Sequence, residues 1–291
     1  MMRALAEFIM AGRWRAAAVA SLGNLLPLIS PAAVGLVTLR QGTAEGLLVA
    51  LWGALPLLVA LSAGEASPVM MWASIAVVAV IWVGAEILRN TASWSLVLTA
   101  IVLISAVIAL LMGTFLSEPV AAIQNAVTQW LQKFQPADQQ GQMTSMASVP
   151  FVIGFVAWVV SVSTVASLLV ARWWQAMLYN PGGFRQEFHS LRLEPRLATA
   201  MLVGVVGSYL LPPEYISWGS LLSLPLLLSG LALVHHMVAV TPLGVHWLVA
   251  FYVGLVLVGP LSLVLVGLGF IDSWMDLRSR YSARRGPGRS D

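Results

Sequence analysis

The residues able to do chemistry crowd into one short stretch, ARWWQAMLYNPGGFRQEFHSLRLEPR, at 171–196. It holds four arginines, two glutamates, a histidine and two tryptophans around a Pro-Gly-Gly turn. Arg185, His189 and Arg192 fall at helical spacing, beside an apolar stripe of Phe184, Phe188 and Leu191. That pattern predicts a short amphipathic helix, apolar side down, with a basic stripe toward headgroups or a partner. Gly182 and Gly183 precede it and permit a sharp turn, a geometry that can present an anion to a helix N-terminus. Asn180-Pro181 is expected to end the preceding helix, because a residue before proline avoids helical geometry.

Other chemistry-bearing residues are few. Glu86 lies one turn before Arg89 at the end of an apolar run. It is either half of an interfacial ion pair or a carboxylate facing a polar cavity. His235 and His236 end another run, and adjacent helical residues diverge by about 100°, which is poor geometry for a shared metal. They read as interfacial or hydrogen-bonded histidines, with ligand contact or pH sensing as the other reading. Asp272, Asp276 and Arg280 step at i,i+4 in FIDSWMDLRSR. Two carboxylates on one helix face could serve acid–base work or a divalent cation. Equally, Asp276 could pair with Arg280 while Asp272 solvates a helix end. No nucleotide-binding, metalloprotease, hydrolase-elbow or calcium-loop motif occurs, so no catalytic residue, cofactor or metal site is expected. There are no cysteines, which excludes disulfides and thiolate chemistry.

The elements that must position these residues are apolar. Of the 291 residues, 59% are hydrophobic and 9% charged, and the mean hydropathy is +0.88. An ordinary globular chain carries about 25% charge. The class is therefore a polytopic membrane protein, built as an all-α bundle because lipid tolerates only helices or closed barrels. About eight apolar segments are expected, at 16–39, 44–64, 69–88, 94–116, 149–171, 197–211, 216–240 and 246–271. Segment 117–148 begins as an amphipathic helix (Val120, Ile123, Val127, Trp130, Leu131, Phe134) and continues as a polar connection. Ala16 and Ala20 repeat at helical spacing and are candidates for close helix packing, as are Gly204 and Gly207. The expected organisation is one bundle over 1–275 followed by an unstructured arginine-rich tail, 276–291.

Charge placement speaks to orientation and against nucleic acid. Fourteen of the fifteen basic residues are arginine, gathered at the termini and in short connections. Segment 16–39 carries Pro27 and Pro31 in NLLPLISP. If it enters and returns as two short helices, Arg40, Arg89 and 172–196 share the cytoplasmic side and 117–148 is external. The tail joins them only if 246–271 also breaks, at Gly259-Pro260.

RWWQAMLYNPGGFRQEFHSLRL, with FIMAGRWRAA near the start and GFIDSWMDLRSR near the end, resembles the YybS-like family of bacterial inner-membrane proteins. That family is itself regarded as distantly similar to the substrate-binding S components of energy-coupling factor transporters. The resemblance implies a multi-pass protein of the bacterial inner membrane that binds or translocates a small solute without its own ATPase. It also implies that small residues such as Ala16 and Ala20 meet a membrane partner. The expected partners are thus the bilayer, a membrane or cytoplasmic protein, and a small-molecule ligand. The alternative is a non-transporting scaffold or assembly factor that docks a cytoplasmic partner through 184–193.

Overall fold

The computed structural model describes residues 1–26, 28–64, 67–134, 145–241, 244 and 246–284. The chain begins with two short helices, α1 (Met2–Met10) and α2 (Arg13–Leu22), then a 3-10 turn at Gly23–Leu25 and α3 (Ile29–Gln41). Three long helices follow: α4 (Thr43–Ala63), α5 (Pro68–Thr91) and α6 (Trp94–Phe115). The amphipathic α7 (Ser117–Phe134) leads toward the longest helix, α8 (Val149–Tyr179). Beyond it lie the short α9 (Gly183–Ser190), α10 (Pro195–Leu210) and α11 (Ile216–Val240). The chain closes with α12 (His246–Leu257), α13 (Leu261–Met275) and α14 (Leu277–Arg284).

Among the described residues five helices are long and apolar enough to cross a bilayer, or six if the bent pair α12–α13 counts as one crossing. The expected count of about eight apolar segments is not confirmed as eight crossings, and each difference has a local cause, two of them at the breaks expected in 16–39 and at Gly259-Pro260. Segment 16–39 is two helices of 10 and 13 residues. At 1.5 Å per residue these reach about 15 and 20 Å, half a membrane. Segment 197–211 is one helix of 16 residues. Segment 246–271 bends by 118° at the Gly259-Pro260 break.

The first segment forms a hairpin of half depth. Arg13, at the start of α2, pairs with Glu45 at the start of α4. At the other end of α2, Ser21 donates to the Trp52 carbonyl (2.8 Å) and Asn24 to that of Gly53 (2.8 Å), midway along α4. The chain then turns through Leu28, whose φ of 67° is left-handed, and runs back along α3 to Gln41. Pro31 sits in the first turn of α3, where no helical N–H is lost. Ala16, Ala17 and Ala20 are buried against the chain's own helices, so the packing of Ala16 and Ala20 is internal and not with the membrane partner that the resemblance implied. Of the other small pair, Gly204 lies against Leu222 whereas Gly207 has nothing near it.

The core forms around α8, which packs on α1, α3, α5, α6 and α11. Trp174 is fully buried there and Trp94 nearly so, while Trp52 is 39% exposed. With 31 residues α8 spans about 46 Å, longer than a hydrocarbon core is thick. Elsewhere glycines let backbones touch: Gly230 of α11 and Gly269 of α13 each face main-chain atoms of the other helix.

The interhelical contacts sort the charges to one end. Arg13, Arg40, Arg89, Arg172, Arg192 and Arg278 all lie where α3, α5 and α8 finish and α6 begins. Helix α7 lies at the opposite end, with Val120 packed on Val69, Met112 and Val152, and Gln124 bonded to the Ala147 carbonyl. The expected amphipathic helix is thus present. The polar connection over 135–144 lies outside the described residues.

Candidate functional site at the arginine-rich end

Two neighbouring arrangements share the short helix α9. The first ties the 180–193 loop to the C-terminal segment. Helix α13 ends at Met275, and Asp276 takes a left-handed conformation (φ 46°) that breaks the chain before α14. The break corrects the expectation of one continuous helix presenting Asp272 and Asp276 on a single face. Asp272 is fully buried and accepts from the Leu277 N–H (2.9 Å). Its second oxygen lies 3.2 Å from Arg278 Nε, an ion contact rather than an aligned hydrogen bond. Arg278 is itself only 8% exposed and donates to the carbonyls of His189 (2.6 Å) and Leu191 (2.7 Å) at the end of α9. The guanidinium fork therefore satisfies carbonyls that the end of α9 leaves without helical partners. Burial pulls the Arg278 pKa below its ordinary value, against the opposing pull of Asp272.

Asp276 pairs with Arg192 at 2.9 Å, not with Arg280, which instead donates to the Met275 carbonyl (2.7 Å). Burial pushes the Asp276 carboxyl up, but the Ser279 N–H and Arg192 outweigh it and hold the group below its usual range. The expected unstructured tail is thus helical over 277–284 and pinned by its first residues, while 285–291 lie outside the described residues.

The basic stripe of α9 is split by these contacts. Arg185 stays exposed, Arg192 is engaged by Asp276, and His189 turns inward. Its ring centroid lies 6.4 Å from that of His235 and 6.1 Å from that of His236. His235 also meets Tyr252 Oη at 2.7 Å and the edge of Phe188. Three histidines therefore gather, yet no group among the described residues has the geometry to hold a metal. Burial, Arg185, His236, His235 and Arg278 all lower the His189 pKa, which keeps the imidazole neutral near pH 7.

The second arrangement is a pocket of about 280 Å³ between α3, α5 and α8, with α9 at its edge. Its polar lining is Arg89, Arg172, Gln175 and Glu187. Glu187 takes Arg172 in a two-pronged pair, Nε to Oε2 at 2.8 Å and Nη2 to Oε1. Gln175 accepts from Arg172 and donates to the Leu39 carbonyl (3.3 Å), so it caps the end of α3. The loop reaches this position because α8 stops at Tyr179 before Asn180-Pro181, and Gly182 supplies the left-handed turn (φ 88°). Gly183 is buried against the Asn180 side chain, where any side chain would collide.

Glu86 belongs to neither arrangement. It accepts from Asn90 (2.8 Å), stands 3.9 Å from Arg89, and lines an open, mainly apolar groove of about 410 Å³ with Trp82 and Thr43. Of the expected site residues, the fold therefore brings together Arg192 with Asp276, and His189 with His235, near the buried Asp272. It leaves Glu86 and the packing residues Ala16 and Ala20 elsewhere. Sequence reasoning missed Arg278, Arg172, Glu187 and Tyr252. A usable signal existed for one pair: Glu187 is one of only two acids in a loop with four arginines.

What fold and site together define is a multi-pass helical membrane protein with a charged, internally cross-tied end. Compared with known family models, curated proteins and solved structures, the chain matches none.

Proposed function

We propose that this chain is a small-solute binding or translocation subunit of the bacterial inner membrane, S-component-like in plan and without its own ATPase. The observation that carries the reading is the half-depth hairpin α2–α3, accompanied by the bent pair α12–α13. Interrupted membrane segments are tolerated only where protein or a water-filled cavity receives the freed backbone, and they recur at solute sites near the midplane. The hairpin tip stops at the level of Gly53, so the outer half of α4 continues past it with Leu55, Leu58 and Val59 exposed. The reading puts a solute vestibule beyond the tip. The arginine-rich end is cytoplasmic on the positive-inside rule, with α7 outside.

The absence of cysteine makes the test direct. A single cysteine at Leu25, exposed at the tip, is challenged in intact cells with a membrane-impermeant maleimide. A vestibule predicts labelling from outside, and protection once a transported solute fills it. Arg13→Cys serves as the control that labels only from the cytoplasmic side. A Leu25→Cys variant inert from both sides places the tip in lipid and defeats the proposal. The scaffold alternative has less surface to use, because His189 and Arg192 are already engaged within the chain.

A further inference from the structure

The pocket at the ends of α3, α5 and α8 has an unusual electrostatic balance. Two guanidinium groups, Arg89 and Arg172, line it against one carboxylate, Glu187. Arg172 is fully engaged, by Glu187 on two nitrogens and Gln175 on the third. Arg89 is not. Its nearest carboxylate oxygen is Glu86 Oε2 at 3.9 Å, beyond hydrogen-bond reach, and no hydrogen bond from its guanidinium is present among the described residues. An arginine in the last turn of α5 has a modest role in offsetting the helix dipole. That role does not by itself call for a guanidinium that lies against Gly42 at the end of α3 and lines a cavity together with a second arginine. Nor is it needed for the neighbouring end of α3, which Gln175 caps.

We propose that Arg89 and Arg172 form a binding pocket for a phosphate- or carboxylate-bearing anion, in which Glu187 is the internal counter-ion that the ligand exchanges for. Arginine is suited to this because its planar fork matches two oxygens of either group. Leu39 and Leu88 supply apolar walls for the rest of a small ligand. Glu187 rides on α9, which joins α8 through the left-handed Gly182, so releasing the carboxylate needs only a rotation of its side chain or of that short helix. The site stands independently of whether solute crosses the membrane. Its depth is compatible with two sources of one chemistry: a soluble anion, or the phosphate of an anionic lipid headgroup.

The full-length protein is purified in uncharged detergent and its unfolding midpoint followed against inorganic phosphate at constant ionic strength, with chloride as the control salt. In parallel, retention of phosphatidylglycerol from nanodiscs is compared with that of phosphatidylcholine by native mass spectrometry. A saturable response to phosphate identifies a soluble anion, and preferential phosphatidylglycerol retention without it identifies a headgroup. In whichever arm responds, Arg89→Gln weakens the apparent Kd at least about tenfold, the size of a lost charged hydrogen bond. Glu187→Gln tightens it several-fold by removing the competitor. Arg89→Lys keeps the charge but loses the fork, so it falls between wild type and Arg89→Gln and carries the test if Arg89→Gln fails to fold. The proposal is overturned if neither probe binds beyond its control. Equal binding by wild type and the arginine variants overturns it too, as does weaker binding by Glu187→Gln.

Discussion

Two stretches of this chain whose sequence carries proline are interrupted, and they resolve the break in opposite ways. In 13–41 the two arms fold against each other. Nine of the thirteen residues of α3 are buried, and the turn is tied to mid-α4 through Ser21 and Asn24. In 246–275 only one arm is held. Helix α13 lies backbone to backbone on α11 and ends in the buried Asp272, whereas α12 has no buried residue at all. Each solution satisfies the same constraint, that a freed carbonyl or N–H in a bilayer needs a partner. The difference is where the load falls: it is spread over the whole hairpin, but in the C-terminal pair it is focused on one crossing and one ion pair.

That comparison is broken most forcefully at its focal point. Asp272→Ala removes the buried carboxylate in contact with Arg278, and removing one partner of a buried pair costs about 3–5 kcal/mol. The double variant Asp272→Leu with Arg278→Met removes both charges, and it is expected to recover much of the loss. Unfolding midpoints in detergent measure both. If the double variant is no more stable than Asp272→Ala, the damage comes from the carbonyls of His189 and Leu191 and not from an orphaned charge.

The next effect tests the crossing. A methyl at Gly230 falls on the Leu265 carbonyl, which is main chain and has little freedom to yield. Overpacking of this kind costs about 1–3 kcal/mol. Gly207→Ala, on α10 with open space around it, is the matched neutral control. The same measurement should find the hairpin more forgiving at any one point. Asn24→Ala removes the 2.8 Å bond to the Gly53 carbonyl and costs about 1 kcal/mol. A loss of 3 kcal/mol there would mean that the hairpin, too, depends on a single contact.

Local punctuation made both breaks readable in the sequence. Pro27 and Pro31 mark one and Gly259-Pro260 the other, and Asn180-Pro181-Gly182-Gly183 marks the end of α8. The amphipathic α7 and α9 were legible for the same reason, since periodicity is local. The partners of the polar groups were not. Arg278 reaches across 87 and 89 residues to carbonyls that no pattern distinguishes. Asp276 interrupts a helix at a non-glycine left-handed residue, against its intrinsic preference, where its carboxylate finds Arg192 and the Ser279 N–H. Continuous i,i+4 spacing in FIDSWMDLRSR therefore pointed to one helix face where the fold makes two helices. The pocket was equally hidden, because Arg89 and Arg172 meet only after α5 and α8 pack side by side.

The smallest expected effect concerns pH and the contact that links α9 to α11. Burial and the charges of Arg185, His236, His235 and Arg278 depress the His189 pKa below 6.5 in the folded protein. The unfolded chain then binds more protons than the folded one as pH falls through about 6.5, so stability is lost on acidification and regained above it. His189 is partly exposed, which screens the effect, and a change of about a degree in unfolding midpoint between pH 7.5 and 5.5 is expected. His189→Gln keeps a polar side chain without the titration and should flatten that part of the profile. The hairpin supplies the reference, because it contains no histidine: labelling of Leu25→Cys at its tip, expressed relative to a free thiol at the same pH to remove the thiolate's own titration, should be the same at both pH values. If acidification changed labelling at the tip as much as it changed protection of α9, the two broken segments would move as one unit, and the division of load between them would be wrong.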